Sequence, residues 1–177
     1  TFDVIAPGVA KHEEEIVLAP GAEPAADPNL VLRVAVAAAE FGLPIAPGTL
    51  RNLKKCPIGD RNWTDESREL FIRLLASGPA LLNVWEDIDF IDVPGKLIPE
   101  WLGVRNRPSA SAAHRYTIDR HMVEVVTRLG RETPSGGRYD DRHYEALLLA
   151  GILHDIGKRP GVANHAAEGA RHATVVV

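Results

Sequence analysis

A mainly α fold is predicted by three features of this 177-residue sequence. Helix start and stop signals recur along most of its length, the Pro- and Gly-marked connectors between them are short, and β-prone residues cluster only near the beginning. Apolar residues make up 45% of the chain, enough for a real core in one ordinary domain or two small ones.

The elements follow in order. "VAKHEEEIVLA", Val9 to Ala19, places two β-prone pieces around an acidic run, which predicts a short β-hairpin near the N-terminus. "PGAEPAADP" is a Pro- and Ala-rich connector ending in a helix start, with Asp27 as N-cap and Pro28 in the first turn. The helix "NLVLRVAVAAAEF" then runs to Gly42, a C-terminal stop. Shorter helical patterns come next: "PGTLRNLKK", then "TDESRELFIRLLASG" with Thr64 as N-cap and acids in its first turn, then "PALLNVWEDIDFID". "VPGKLIPEWLGVRNRPSAS" reads as an irregular connector, with a module boundary near Pro108. Three helical stretches follow, over 111–129, 140–156 and 164 to the end, with "GRETPSGGRYDD" as a loop between the first two.

Composition excludes several function classes. A net charge of −4 with scattered Lys and Arg offers no basic stripe for nucleic acid. Nor is any apolar stretch long enough to span a bilayer. A single cysteine, Cys56, excludes an internal disulfide and fits a reducing cytoplasm. It precedes Pro57, and apart from Lys54 and Lys55 nothing basic surrounds it, so an activated thiol is not expected. The start "TFDVIAPG" lacks an initiator Met and signal-peptide features, and "GARHATVVV" has no helix stop; both ends read as cuts in a longer chain.

Six of the seven histidines, His114, His121, His143, His154, His165 and His172, fall after Pro108. His114 and His121 are seven apart, about 10 Å along a helix, too far to share one ion; His114 is expected to be structural. His154 and Asp155 end the run "EALLLAGIL", where burying an imidazole and a carboxylate is costly. A divalent metal of the Mn, Fe, Zn or Mg range would offset that cost, held by His154, Asp155 and His121 from the preceding helix. Ala150 and Gly151 are small enough to let that helix approach. The alternative is structural, with His154 capping a helix end and Asp155 pairing with Lys158 or Arg159. His143 belongs to another surface, while His12 and His172 are expected to face solvent. Trp63, Trp85 and Trp101 are expected to be packing anchors.

"HRYTIDRHMVE", "LLLAGILHDIGKRPG" and "NHAAEGA" resemble the metal-dependent phosphohydrolase module named HD after its His-Asp pair, in the form carried by the bifunctional uridylyltransferase/uridylyl-removing enzymes of the nitrogen-regulatory PII protein. "EIVLAPGAEPAADPNLVLRVAVAAAEFGLPIAPGTLRNL" and "LIPEWLGVRNRP" resemble the helical region that joins the nucleotidyltransferase and hydrolase domains in actinobacterial-type members. The resemblance implies three parts: residues 1–26 as the tail of the nucleotidyltransferase domain, 27–108 as a helical linker region, and 109–177 as the first part of a truncated HD-type domain. It implies a multifunctional enzyme, transferase and hydrolase, using UTP or ATP, acting on PII in the cytoplasm, with uridylyl preferred over adenylyl as the transferred group. His121, His154 and Asp155 match its metal ligands; His165 matches a histidine facing a second metal or the phosphate, and Lys158 a residue that steadies a phosphoryl oxygen.

Two departures bear on the site. Family members read Gly-Asp-His-Ser where this chain has Ala163, Asn164, His165 and Ala166, so an acid and a hydroxyl are lost. After Asp155 the only acidic residue is Glu168, whereas such modules take a last Asp ligand from a later helix. An incomplete metal site and inactivity of this piece alone are therefore expected, and the core helix "EALLLAGIL", lacking its later neighbours, would expose apolar surface, so self-association of the chain is expected too. A different HD-type nucleotide phosphohydrolase and a noncatalytic helical interaction module are the alternatives.

Overall fold

The computed structural model describes residues 1–59, 63–109, 115–131 and 141–176. It is mainly α with a small sheet at the start. Strands β1 (Asp3–Ala6), β2 (Val9–His12) and β3 (Glu15–Leu18) form one antiparallel sheet in that order. β2 and β3 are the expected hairpin, paired from Val9 with Leu18 to His12 with Glu15. Its two-residue turn, Glu13 and Glu14, has φ of 46° and 65°, as a two-residue hairpin turn requires. The sequence does not signal β1, a four-residue edge strand with no alternation of burial. On the far edge, the Ile16 N–H donates to the Pro44 carbonyl at 2.8 Å and the Ile16 carbonyl accepts from the Ala46 N–H at 3.0 Å.

Eight α-helices follow among the described residues. They are α1 (Leu30–Phe41), α2 (Pro47–Leu53), α3 (Asp65–Leu75), α4 (Ala80–Phe90), α5 (Val93–Leu97), α6 (Ile118–Arg131), α7 (Asp141–Leu153) and α8 (His165–Val176). α1 starts at Leu30, with Asn29 rather than Asp27 directly before it. Asp27 still accepts the Asn29 N–H at 3.1 Å, as a cap residue does, and also receives the Arg33 guanidinium at 2.7 Å on both oxygens. Arg33 also donates to Glu66 and to the Pro7 carbonyl, tying the sheet, α1 and α3 together. Gly42 ends α1 with φ of 65°, the left-handed stop a glycine provides. Thr64 caps α3 by accepting the Ser67 N–H at 3.1 Å.

The stretch expected to be an irregular connector holds two helical turns, α5 and a 3-10 turn over Pro99–Gly103. Pro94 and Pro99 each enter a first turn, where the missing N–H is no loss. This segment buries Ile98, Trp101 and Val104 completely. Trp63, Phe71, Trp85 and Trp101 form an aromatic chain with successive ring centroids 5.1, 6.4 and 5.2 Å apart, so the tryptophans are packing anchors.

α6 begins at Ile118, not near 111, and 115–117 are not helical. The Ile118 N–H donates to the Arg107 carbonyl at 2.9 Å, and Asp119 accepts the Asn106 N–H at 2.9 Å, so the connector itself sets the helix start. His114 and most of the expected loop after Gly130 lie outside the described residues. One hydrophobic core runs from Val9 to Ile156 without a break at residue 108.

Candidate metal centre

Close contact between α6 and α7 positions the site. A Cβ at Gly151 would lie 2.9 Å from Leu129 Cδ1 and 3.1 Å from Val126 Cγ2, so glycine lets α6 approach α7 there. Ala150, expected to share this role, is exposed and faces the other way. α7 ends at Leu153, three residues earlier than expected, and puts His154 and Asp155 in the turn that follows.

His154 Nδ1 lies 2.7 Å from the Gly151 carbonyl. A carbonyl only accepts, so the ring donates from Nδ1 and, when neutral, presents a lone pair at Nε2. That Nε2 is 3.5 Å from Asp155 Oδ2. From α6, His121 Nε2 reaches to 3.9 Å of the same oxygen. The two imidazoles meet edge to face, centroids 5.2 Å apart at 74°. One ligand atom from each of the three residues can be chosen so that all lie within 4.8 Å of one another.

Two ligands bound at about 2.1 Å stand roughly 3–3.5 Å apart at tetrahedral or octahedral angles. The donor set of two imidazoles and one carboxylate therefore fits a divalent ion after small side-chain shifts. The Gly151 carbonyl supplies the outer contact that orients a histidine ligand. Asp155 is buried, whereas His121 and His154 border solvent.

Lys158 stands on this carboxylate, its Nζ 2.7 Å from Asp155 Oδ2. The sequence alternatives for His154 and Asp155 thus coexist in one geometry: His154 caps a helix carbonyl, Asp155 pairs with Lys158, and both face His121. Arg159, the other partner considered for Asp155, points elsewhere and donates to the Glu100 carbonyl at 3.0 Å. His165 opens α8 with an exposed side chain and is not among the three residues that converge. Asn164 caps α8, its Oδ1 accepting the Ala167 N–H at 3.1 Å.

Two residues that hold the turn carry little signal in the sequence. A Cβ on Gly157 would lie 2.2 Å from the His165 carbonyl oxygen and 2.3 Å from the Gly169 nitrogen. Only glycine lets the turn and α8 meet backbone to backbone; the glycine at both 157 and 169 is the available clue. Arg159 packs on Gly103, where a Cβ would stand 2.6 Å from its Nε, and so links the turn to the Pro99–Gly103 segment. Beside the turn, α7 and α8 enclose a mostly apolar groove of about 610 Å³, lined by Leu149, Ala150, Leu153, Ala166 and Ala170 and bordered by His154.

The remaining candidates are placed as follows. His143 is exposed on α7. His172 does not simply face solvent: its Nε2 lies 2.7 Å from Glu168 Oε1. His12 stacks on Phe2 with centroids 4.7 Å apart. Cys56 is buried, and burial pushes its thiol pKa up, away from an activated thiolate. No helix among the described residues is long and apolar enough to cross a membrane.

No family model matches the chain, and no solved structure matches it significantly. Sequence relatives are clear. A protein of Mycobacterium tuberculosis (strain CDC 1551 / Oshkosh) is 39% identical over 164 residues, covering 92% of this chain and 20% of its own length. One from Streptomyces coelicolor is 40% identical over 156 residues, covering 87% and 18% respectively. One from Corynebacterium glutamicum is 34% identical over 132 residues, covering 75% and 18%. All three are named bifunctional uridylyltransferase/uridylyl-removing enzyme. The chain is thus homologous to a segment of these enzymes and spans about a fifth of their length.

Proposed function

We propose that this chain is part of a PII-protein uridylyltransferase/uridylyl-removing enzyme of nitrogen regulation and carries part of the metal-dependent HD site that hydrolyses nucleotidyl-PII. The observation that carries the proposal is the convergence of His121, His154 and Asp155 from two helices and a turn, in a chain homologous to enzymes of that name. In this reading residues 1–26 end the nucleotidyltransferase domain, 27–108 form the helical linker, and 109–177 begin the HD domain. The enzyme uses UTP, with ATP the alternative, and works in the cytoplasm.

His121, His154 and Asp155 are the metal ligands. Bound there, a divalent cation supplies Lewis-acid charge to a phosphoryl oxygen and makes water more acidic for attack on phosphorus. The protein's own groups prepare for this. The Gly151 carbonyl keeps the His154 proton on Nδ1, so Nε2 faces the ion. Asp155 directs one oxygen towards both rings. Lys158 and His165 serve the substrate side, where an ammonium or imidazolium offsets charge on the phosphoryl oxygens.

The test is release of nucleotide from nucleotidylated PII by the full-length parent protein. The expected result is release that requires a divalent metal and is lost in His154→Ala and Asp155→Asn. Metal-independent release, or none, contradicts the proposal. Hydrolysis of free nucleotides without action on modified PII favours a different HD phosphohydrolase. Self-association of this chain belongs to the same proposal, and a monomer by light scattering at high concentration contradicts it.

A further inference from the structure

We infer that Lys158 is a built-in cation of the proposed metal centre: its ammonium holds the Asp155 oxygen that a divalent ion would take, so the lysine sets metal affinity and is released towards substrate when the ion enters. This rests on the metal-site reading above and adds a role for a residue inside it.

A single oxygen carries the argument. Asp155 Oδ2 lies 2.7 Å from Lys158 Nζ, 3.5 Å from His154 Nε2 and 3.9 Å from His121 Nε2. The ammonium therefore already stands at the atom where both imidazoles converge. A divalent ion would bind that oxygen at about 2.1 Å. Two cations crowded on one carboxylate oxygen repel strongly where water screens poorly. Asp155 has 11% of its side chain exposed and Lys158 26%, so the contest takes place largely out of bulk water. Ion and ammonium are thus alternative partners of this oxygen.

The backbone keeps the lysine in the contest. Its N–H donates to the Asp155 carbonyl at 3.0 Å, closing the turn that aims the side chain back at the carboxylate. The residues on either side are both anchored, Gly157 against the α8 backbone and Arg159 on Gly103 and the Glu100 carbonyl. With both neighbours held, the aliphatic stem is the freely moving part. Rotation of that stem carries the ammonium off Asp155 while leaving it within a side chain's length of the site. Metal entry and delivery of the lysine become one event.

The test is Mn²⁺ titration by calorimetry of the 177-residue chain and its Lys158→Met, Lys158→Arg and Asp155→Asn variants. Removing the competing charge while keeping the stem should tighten Mn²⁺ binding about tenfold, and Lys158→Arg should stay near the parent value. Equal or weaker binding in Lys158→Met overturns the inference. If Asp155→Asn binds Mn²⁺ as the parent does, the metal-site reading itself fails; if no protein binds Mn²⁺, both fail. A second readout uses NMR with Zn²⁺. The Lys158 side-chain resonances should move towards free-lysine positions together with the shift of the His154 ring, and a His154 shift without a Lys158 shift overturns the inference.

Discussion

Helices α1 and α7 are both rich in small and branched apolar residues, yet their surroundings differ. α1 buries nine residues, Leu30, Val31, Leu32 and Val34 through Ala39, between the sheet, α3 and α4. α7 buries Tyr144, Leu148, Gly151, Ile152 and Leu153, while Ala146 and Ala150 are exposed along the groove it shares with α8. An apolar run thus reports a preference for burial, and the neighbours decide how much of it is met. In α1 the whole run stabilises the core. In α7 one side does so, and the end of the helix presents His154 and Asp155.

The difference is sharpest for matched leucines. Leu32→Ala in α1 should cost about 2–5 kcal/mol, because a fully enclosed side chain leaves a cavity. Leu149→Ala, at a half-buried position by the groove, should cost about 1 kcal/mol or less. Urea unfolding followed by circular dichroism measures both, and equal losses would break the comparison. Gly157→Ala comes next. Its Cβ would overlap backbone atoms of His165 and Gly169, and we expect about 1–3 kcal/mol of destabilisation, with amide exchange rising in α8 before α1. Uniform exchange would mean that the turn and α1 open as one unit.

The helix caps give a smaller contrast. Thr64→Ala should cost about 1 kcal/mol of global stability, since its helix packs on α1. Asn164→Ala should loosen α8 alone, visible as local exchange with an unchanged urea midpoint. The smallest effect is on pH dependence. The hydrogen bond from Arg171, aided by His172, holds the Glu168 carboxyl below the usual glutamate range. The charged form is therefore favoured in the folded state: its contribution is present above the unfolded glutamate pKa and lost as pH falls through the lowered one. Acidification should reduce α8 helicity in NMR chemical shifts while α1 is unaffected.

Local chemistry made much of this fold legible. Thr64 with two following acids, Gly42 after an apolar run, and the β-prone pieces around Glu13 and Glu14 each lie where their physics puts them. The illegible parts depended on distant partners. Asp27 makes a cap-type bond to the Asn29 N–H, yet residues 28 and 29 form a turn and the regular helix starts at Leu30, while Arg33, from the next helical turn, also holds the Asp27 carboxylate. The prolines in "VPGKLIPEWLG" suggested irregularity, yet at positions 94 and 99 they start short turns that bury Trp101. Spacing also set the α6 start too early, because it could not show Arg107 and Asn106 binding residues 118 and 119.

At the candidate site, the pairing of His154 and Asp155 with His121 was open to inference because an apolar run ending in two polar groups demands compensation. The arrangement around them was less so. The His154 bond to the Gly151 carbonyl and the Lys158 contact with Asp155 depend on where α7 stops and how the next turn closes. The contact of Gly157 with the backbone of His165 and Gly169 needs the α8 position, which no local pattern contains.

The most direct test of the metal reading is elemental analysis of the 177-residue chain after incubation with Mn²⁺ and removal of excess ion, run beside a His154→Ala, Asp155→Ala double variant whose fold is checked by circular dichroism. The account predicts bound metal in the unmutated 177-residue chain and none in the variant. Equal metal in both, or none in either, would contradict a centre built by His121, His154 and Asp155.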